Sequence, residues 1–176
     1  MDFTADVIVL FLDIDGVLNT TKDDDTDYIN PLKAAMIEDV CLETGAVIIL
    51  SSTWRDPEAW AREYGIDITV ENAVARTRTA LNHAGLTAPI VGWTPLDPLV
   101  EPKDALEWGM NWREHEIIAW LNEHPEIETF AIVDDVPMRN YRINLHSVHT
   151  NEGIGLLVQH AAKLKKILTP EPDEDE

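Results

Sequence analysis

The sequence predicts an α/β fold: a three-layer, Rossmann-like core around a mostly parallel sheet. Three observations lead there. Its apolar runs, such as Val7-Ile8-Val9-Leu10-Phe11-Leu12, are continuous rather than alternating, as expected of strands covered on both faces. Stretches with helical periodicity separate those runs, which makes a chain of βα units. Acids and hydroxyls cluster just after the runs, where open α/β sheets bind ligands.

Taken in order, residues 7–12 form the first strand, and a polar loop comes next. Pro31 is suited to the first turn of a helix over residues 31–44, which Gly45 ends. Residues 46–50 read as a second buried strand. Asp56 as N-cap and Pro57 at the first helical position open another helix. A helix over 71–83 precedes Gly85, and 89–93 is a short strand. Residues 94–110 carry Pro, Gly and Trp without periodicity and read as loop. Ile117, Ile118 and Leu121 stand at helical spacing within a helix over 113–122. A strand at 129–133, another near 145–148 and a closing helix over 154–168 complete a single domain over residues 1–169. Residues 170–176, with five acids, are expected to be a disordered tail.

Charge narrows the function classes. Thirteen basic against 33 acidic side chains give a net charge of −20. Such a field repels nucleic acid, membrane surfaces and other polyanions; it also suits a salt-rich cytosol. No apolar run approaches the ~18 residues that span a bilayer. Residues 1–6 lack the basic flank of a signal peptide, so the expected location is cytoplasmic, with no membrane partner. Cys41 is the only cysteine, which excludes an internal disulfide or a thiolate zinc cluster and reads as a small buried hydrophobe. The six histidines show no paired metal spacing, and no nucleophile elbow supports a serine hydrolase.

The chemistry concentrates at strand ends. After the first strand comes Asp13-Ile14-Asp15-Gly16-Val17-Leu18-Asn19. Strand alternation puts Asp13 and Asp15 on one side, and Gly16 permits a tight turn. Two carboxylates this close call for a cation or a retained proton, which suits a metal site with one nucleophilic and one acid/base carboxylate. A bare Asp-x-Asp is also a common loop-start capping pair. The second strand ends in Ser51-Ser52-Thr53-Trp54-Arg55, a run that could be simple turn chemistry; Trp54 and Arg55 could line a substrate entrance, with core packing the equal alternative for Trp54. Residues 130–133 lead into Asp134 and Asp135, adjacent acids after a buried strand that are hard to explain without a cation.

Residues 7–19 closely resemble the first signature of the haloacid-dehalogenase (HAD) superfamily, and its remaining signatures occur in order down the chain. The resemblance implies that Asp13 is a nucleophile. It implies that Asp15 is a general acid/base whose backbone carbonyl also reaches Mg2+. Ser51 matches the phosphoryl-binding hydroxyl, with Ser52 one residue away as the alternative. The lone basic residue of the third signature falls on Arg113, with Lys103 as the alternative; Arg113 could otherwise be a surface partner of Glu114 or Glu116. Asp135 is implied as a magnesium ligand assisted by Asp134, and hard oxygens from Asp13, Asp15 and Asp135 suit Mg2+ rather than zinc. His115 lies near Arg113; contact with substrate is the minority reading for it, and a structural role the main one.

Residues 51–55, 92–95, 113–121 and 155–156 extend the resemblance to a group of small HAD domains. Related domains occur in multi-domain RNA-repair proteins and, more distantly, in polynucleotide kinase–phosphatase. The resemblance implies a phosphatase working through a phospho-aspartate, with little or no cap because residues 19–30 form only a short acidic loop. Open sites of this kind suit nucleic-acid 3′ or 5′ ends. The net charge disfavours that partner and points instead to a nucleotide or another small phosphomonoester. A non-catalytic binding module is the third reading.

Overall fold

All four residues of β1 (Val9–Leu12) are buried, because both neighbours and both faces of this strand are covered. A computed structural model describes residues 3–22, 28–96 and 111–169. β1 pairs in parallel with β2 (Val47–Leu50) and β4 (Phe130–Asp134); β3 (Ile90–Trp93) adds beyond β2, and β5 (Ser147–His149) beyond β4. The order β3-β2-β1-β4-β5 places β1 at the centre, and all strands point the same way. The fold is the α/β Rossmann-like arrangement expected of a HAD core.

Side-chain alternation splits the core into two layers. Leu10, Leu12, Ile48, Leu50, Ala131 and Val133 face helices α1 (Pro31–Thr44), α3 (Val70–His83) and α5 (Val158–Leu168). Val9, Phe11, Ile49, Phe130 and Ile132 face α4 (Trp112–Glu123), where Trp120 packs edge-on to Phe11 at 5.3 Å. Cys41 lies in the first layer, its thiol pushed up to about 12 by burial and then by Glu38, which fits an apolar role.

Helix starts obey capping chemistry. Asn30 Oδ1 accepts from the Leu32 and Lys33 amides ahead of α1, and Gly45, at φ 72°, closes that helix. Asp56 caps α2 (Pro57–Tyr64) through the Glu58 amide.

Two expectations are corrected. The strand near 145–148 is β5 at Ser147–His149; Leu145 instead lies in a 3₁₀ turn and is exposed. The closing helix starts at Val158, not at 154. Gly155 takes φ 72°, and Leu156 donates its amide to the Val17 carbonyl at 2.8 Å, so residues 154–157 fasten the loop after β1 before the helix begins. Lys103, most of the 94–110 loop and the 170–176 tail lie outside the described residues. No helix among the described residues is long and apolar enough to cross a membrane.

Candidate active site

Because every strand is parallel, β1, β2 and β4 deliver Asp13, Ser51 and Asp134 to the same end of the sheet. The Asp13 amide donates to Val133 O and the Ser51 amide to Leu12 O, which fixes all three positions by ladder register. Asp13, Asp134 and Asp135 each offer a carboxylate oxygen within 4.8 Å of the others.

Arg113 enters this cluster from the start of α4. Its guanidinium lies 2.9 Å from Asp134 Oδ2, 3.7 Å from Asp13 Oδ1 and 2.9 Å from Glu116 Oε2. The expected pairing with Asp13 and the alternative pairing with Glu116 are therefore both present. Burial opposes the charge on Arg113, but Asp13, Asp134 and Glu116 together outweigh it and raise its pKa. The acids respond oppositely. Asp13 is raised well above the ordinary carboxylate range, by burial first and then by Asp134, with Arg113, the Ile14 amide and the Ser52 hydroxyl only partly compensating. Asp134 is raised to about 6 by burial, against Arg113 and the Val136 amide. Asp135 is raised too, by burial and then by Glu152 and Asp15. One guanidinium does not neutralise three clustered carboxylates, so the charge balance itself favours a further cation.

The donor set fits a hard divalent ion. All three side chains offer oxygen, and no described cysteine or histidine joins them. Gly16 makes room for the third: a Cβ there would lie 2.3 Å from Asp135 Oδ2, and its φ of 69° suits glycine. Thr150 Oγ1 donates to Gly16 O at 2.8 Å, and His149 Nε2 lies 2.7 Å from Asp135 O, so the end of β5 and the residue after it hold both halves of the cradle.

The Asp15 carboxylate stands outside this cluster, contrary to the expectation of a shared side. β1 ends at Leu12, and the Val17 and Leu18 amides donate to Ile14 O, so the backbone is already curling at Asp15 and two-residue alternation no longer applies. Asp15 Oδ1 accepts from Asn19 Nδ2 at 2.7 Å and Trp54 Nε1 at 2.9 Å; Oδ2 lies 3.4 Å from Thr53 Oγ1. Trp54 thus orients Asp15 and lines the cleft beside it.

Ser51 and Ser52 are both buried but differ in their hydroxyls. Ser52 Oγ caps the 3₁₀ turn at Thr53–Arg55 and hydrogen-bonds Asp13. Ser51 Oγ has no hydrogen-bond partner among the described residues, which leaves it available to a ligand. Arg55 is not at an entrance. Only 1 % exposed, it binds Glu116 at 2.8 Å, Thr94 O at 2.9 Å and also the Ser52 carbonyl. It braces the floor beneath Arg113. His115, on α4 itself, is buried, with its ring 6.3 Å from that of Trp112.

Sequence reasoning missed several supports. Asn19 bridges the turn through the Gly16 amide and Asp15; its signal was a polar residue four after Asp15. Buried Glu114 accepts from the Asn111, Arg139 and Asn140 amides, and so ties the start of α4 to the loop after β4. An Asn-x-x-Glu capping box announced it. Trp60 and Tyr64 also line the cleft, and their i, i+4 spacing on α2 was the available signal.

Against known proteins, residues 9–161 match the family described as the HAD domain in Swiss Army Knife RNA repair proteins. No curated protein and no solved structure matches the chain. The match spans most of the chain, including every side chain placed at this site: the chain belongs to that family.

Proposed function

We propose that this HAD-family domain is a Mg2+-dependent phosphomonoester hydrolase that forms a phospho-aspartate on Asp13 and acts on a nucleotide or another small phosphomonoester. The observation that carries the reading is the division of labour around the first turn. Asp13 is buried among charges, whereas Asp15 is held apart by Trp54 and Asn19. A nucleophile and a proton donor need this difference in surroundings.

Mg2+ held by Asp13, Asp134 and Asp135 would supply positive charge that offsets repulsion between these acids and a phosphate dianion. Arg113 binds phosphoryl oxygens beside Asp13, and Ser51 offers its unpartnered hydroxyl to another. The Ile14 amide pins Asp13 Oδ1 at 2.8 Å, which orients the carboxylate. An Asp13 oxygen attacks phosphorus in line as the bond to the leaving oxygen breaks, and protonated Asp15 gives that oxygen its proton. Asp15, now ionised, takes a proton from water as the water attacks phosphorus; the Asp13–phosphorus bond breaks and inorganic phosphate leaves.

A second reading, hydrolysis of a polynucleotide 3′ or 5′ end phosphate, is favoured by the family's description as part of RNA-repair proteins. The net charge of −20 weighs against strand binding.

The test is phosphate release from an aryl phosphate with Mg2+ or with chelator, alongside nucleotides and phosphorylated oligonucleotides at low salt. Turnover should require Mg2+, and Asp13→Asn should lower kcat by about 10⁴-fold or more, as loss of a covalent nucleophile does. Substantial turnover by Asp13→Asn, with deamidation excluded, would contradict the assignment.

A further inference from the structure

Asp15 also borders a second space. A cleft of about 240 Å³ is lined by Asp15, Thr53 and Trp54 together with Trp60, Glu63 and Tyr64 of α2. Asp13, Asp134 and Asp135 do not line it. If phosphorus sits at Asp13 and Asp15 protonates the leaving oxygen, the leaving group extends from Asp15 into this cleft.

Its walls select by shape. The Trp60 and Tyr64 rings lie 5.1 Å apart at a 40° tilt. Trp60 donates Nε1–H to Trp54 O at 2.8 Å, and the Arg76 guanidinium lies 5.7 Å from its ring, so the indole is positioned by the protein's own contacts. Aromatic surface in a water-facing cleft gains most from a flat partner, and a nucleobase stacks on such a ring whatever its identity.

Spacing and charge narrow the occupant further. Trp54 bonds Asp15 through its indole and Trp60 through its carbonyl, so the aromatic pair stands one residue beyond the proton donor. A base on those rings would be joined to the leaving oxygen through a sugar, whereas an aryl phosphate would place its ring against Asp15 itself. Among the described residues no lysine or arginine lines the cleft, while Asp15 and Glu63 do, so an anionic leaving group is opposed. Thr20 and Thr21 add polar side chains to the wall. The volume lies below the ~300–1,000 Å³ of drug-sized sites, which limits the occupant to about one nucleoside.

We infer that this cleft is the leaving-group subsite and takes an uncharged nucleoside, making the preferred substrate a nucleoside monophosphate; the inference rests on the phosphatase reading and on Asp15 as its acid. The experiment compares kcat/KM for the common ribonucleoside monophosphates, glycerol phosphate and a 3′- or 5′-phosphorylated oligonucleotide in the full chain and in Tyr64→Ala and Trp60→Leu. Binding of phosphate-free adenosine, read by tryptophan fluorescence, runs in parallel. The best mononucleotide should exceed glycerol phosphate by about tenfold, and either variant should reduce that ratio about fivefold or more. Adenosine should bind the full chain and lose affinity in Tyr64→Ala. Equal turnover of mononucleotide and glycerol phosphate, an unchanged ratio in both variants, or a preferred oligonucleotide would overturn the subsite and leave the hydrolase standing. A chain that hydrolyses no phosphomonoester, yet binds adenosine in a Tyr64-dependent way, would overturn the hydrolase and retain a nucleoside site.

Discussion

The two sides of the turn after β1 are built on opposite principles. On the Asp13 side, Arg113, Asp134, Glu116 and Arg55 form a continuous buried ion network, each charge held by a partner on another element or the next helical turn. On the Asp15 side, neutral donors from Trp54, Asn19 and Thr53 hold one carboxylate at the wall of an open cleft. The first arrangement suits a phosphoryl group, whose charge is the same for every phosphomonoester. The second suits a leaving group, which differs between substrates and needs shape more than charge. On the proposed reading, chemistry and selectivity are thereby separated by two residues of backbone.

The contrast breaks most severely at its charged end. Arg113→Met strands Asp13 and Asp134, leaving Glu116 to Arg55, and should destabilise the fold by about 3–5 kcal/mol in urea unfolding as well as abolish turnover. An unfolding midpoint equal to wild type would mean that the network carries no stability.

Ser51→Ala separates binding from folding. Its hydroxyl has no described protein partner, so stability should change by less than about 1 kcal/mol, whereas kcat should fall about 10²–10³-fold through loss of one phosphoryl contact. A full loss of activity with a matching fall in melting temperature would assign Ser51 to structure.

On the cleft side the effect is smaller. Trp54→Phe removes one hydrogen bond to Asp15 and should lower kcat about tenfold, the value of a hydrogen bond to a charged group. The loss should shrink for a leaving group that needs no proton, such as a nitrophenolate. An equal loss for both would show that Trp54 does not act through Asp15.

The smallest effect is a pH dependence. Asp134 is raised from 3.8 to about 6, and Asp13 is raised with it. A carboxyl with a raised folded pKa contributes stability that is present below its unfolded pKa and lost as pH rises through the folded value. Without divalent ions, Asp134 should therefore lower the melting temperature as pH rises from about 4 through about 6, and Asp13, raised in the same direction, should add to the loss as pH rises further. Added Mg2+ should raise the melting temperature more at pH 7 than at pH 5, and Asp134→Asn should flatten the difference. A Mg2+ shift independent of pH would detach the ion from these acids.

Much of the molecule was legible in the chain. β1, β2 and β4 announced themselves as unbroken apolar runs because both their faces are buried, and α1 because Pro31 and Gly45 bracket it. Asp13 and Asp134 were legible because strand register alone carries them to one sheet end; Arg113 was read from the family resemblance, beside Lys103, and the start of α4 brings it to the acids. Asp15 was misread because alternation stops where the strand does. Arg55 was misread because nothing local marks an arginine for burial; its acceptors, Thr94 O and Glu116, come from remote segments. The aromatic cleft was overlooked because Trp60 and Tyr64 look like ordinary core residues until the turn at Asp15 faces them.

The central claim is that Asp13, and not water, attacks phosphorus. Asp15→Asn should still accept a phosphoryl group from an aryl phosphate, whose leaving group needs no proton, but should hydrolyse the enzyme-bound phosphate slowly. Acid quenching during turnover with Mg2+ should then recover phosphate covalently bound to the peptide that contains Asp13. Steady release of phosphate with no label on that peptide would contradict the account.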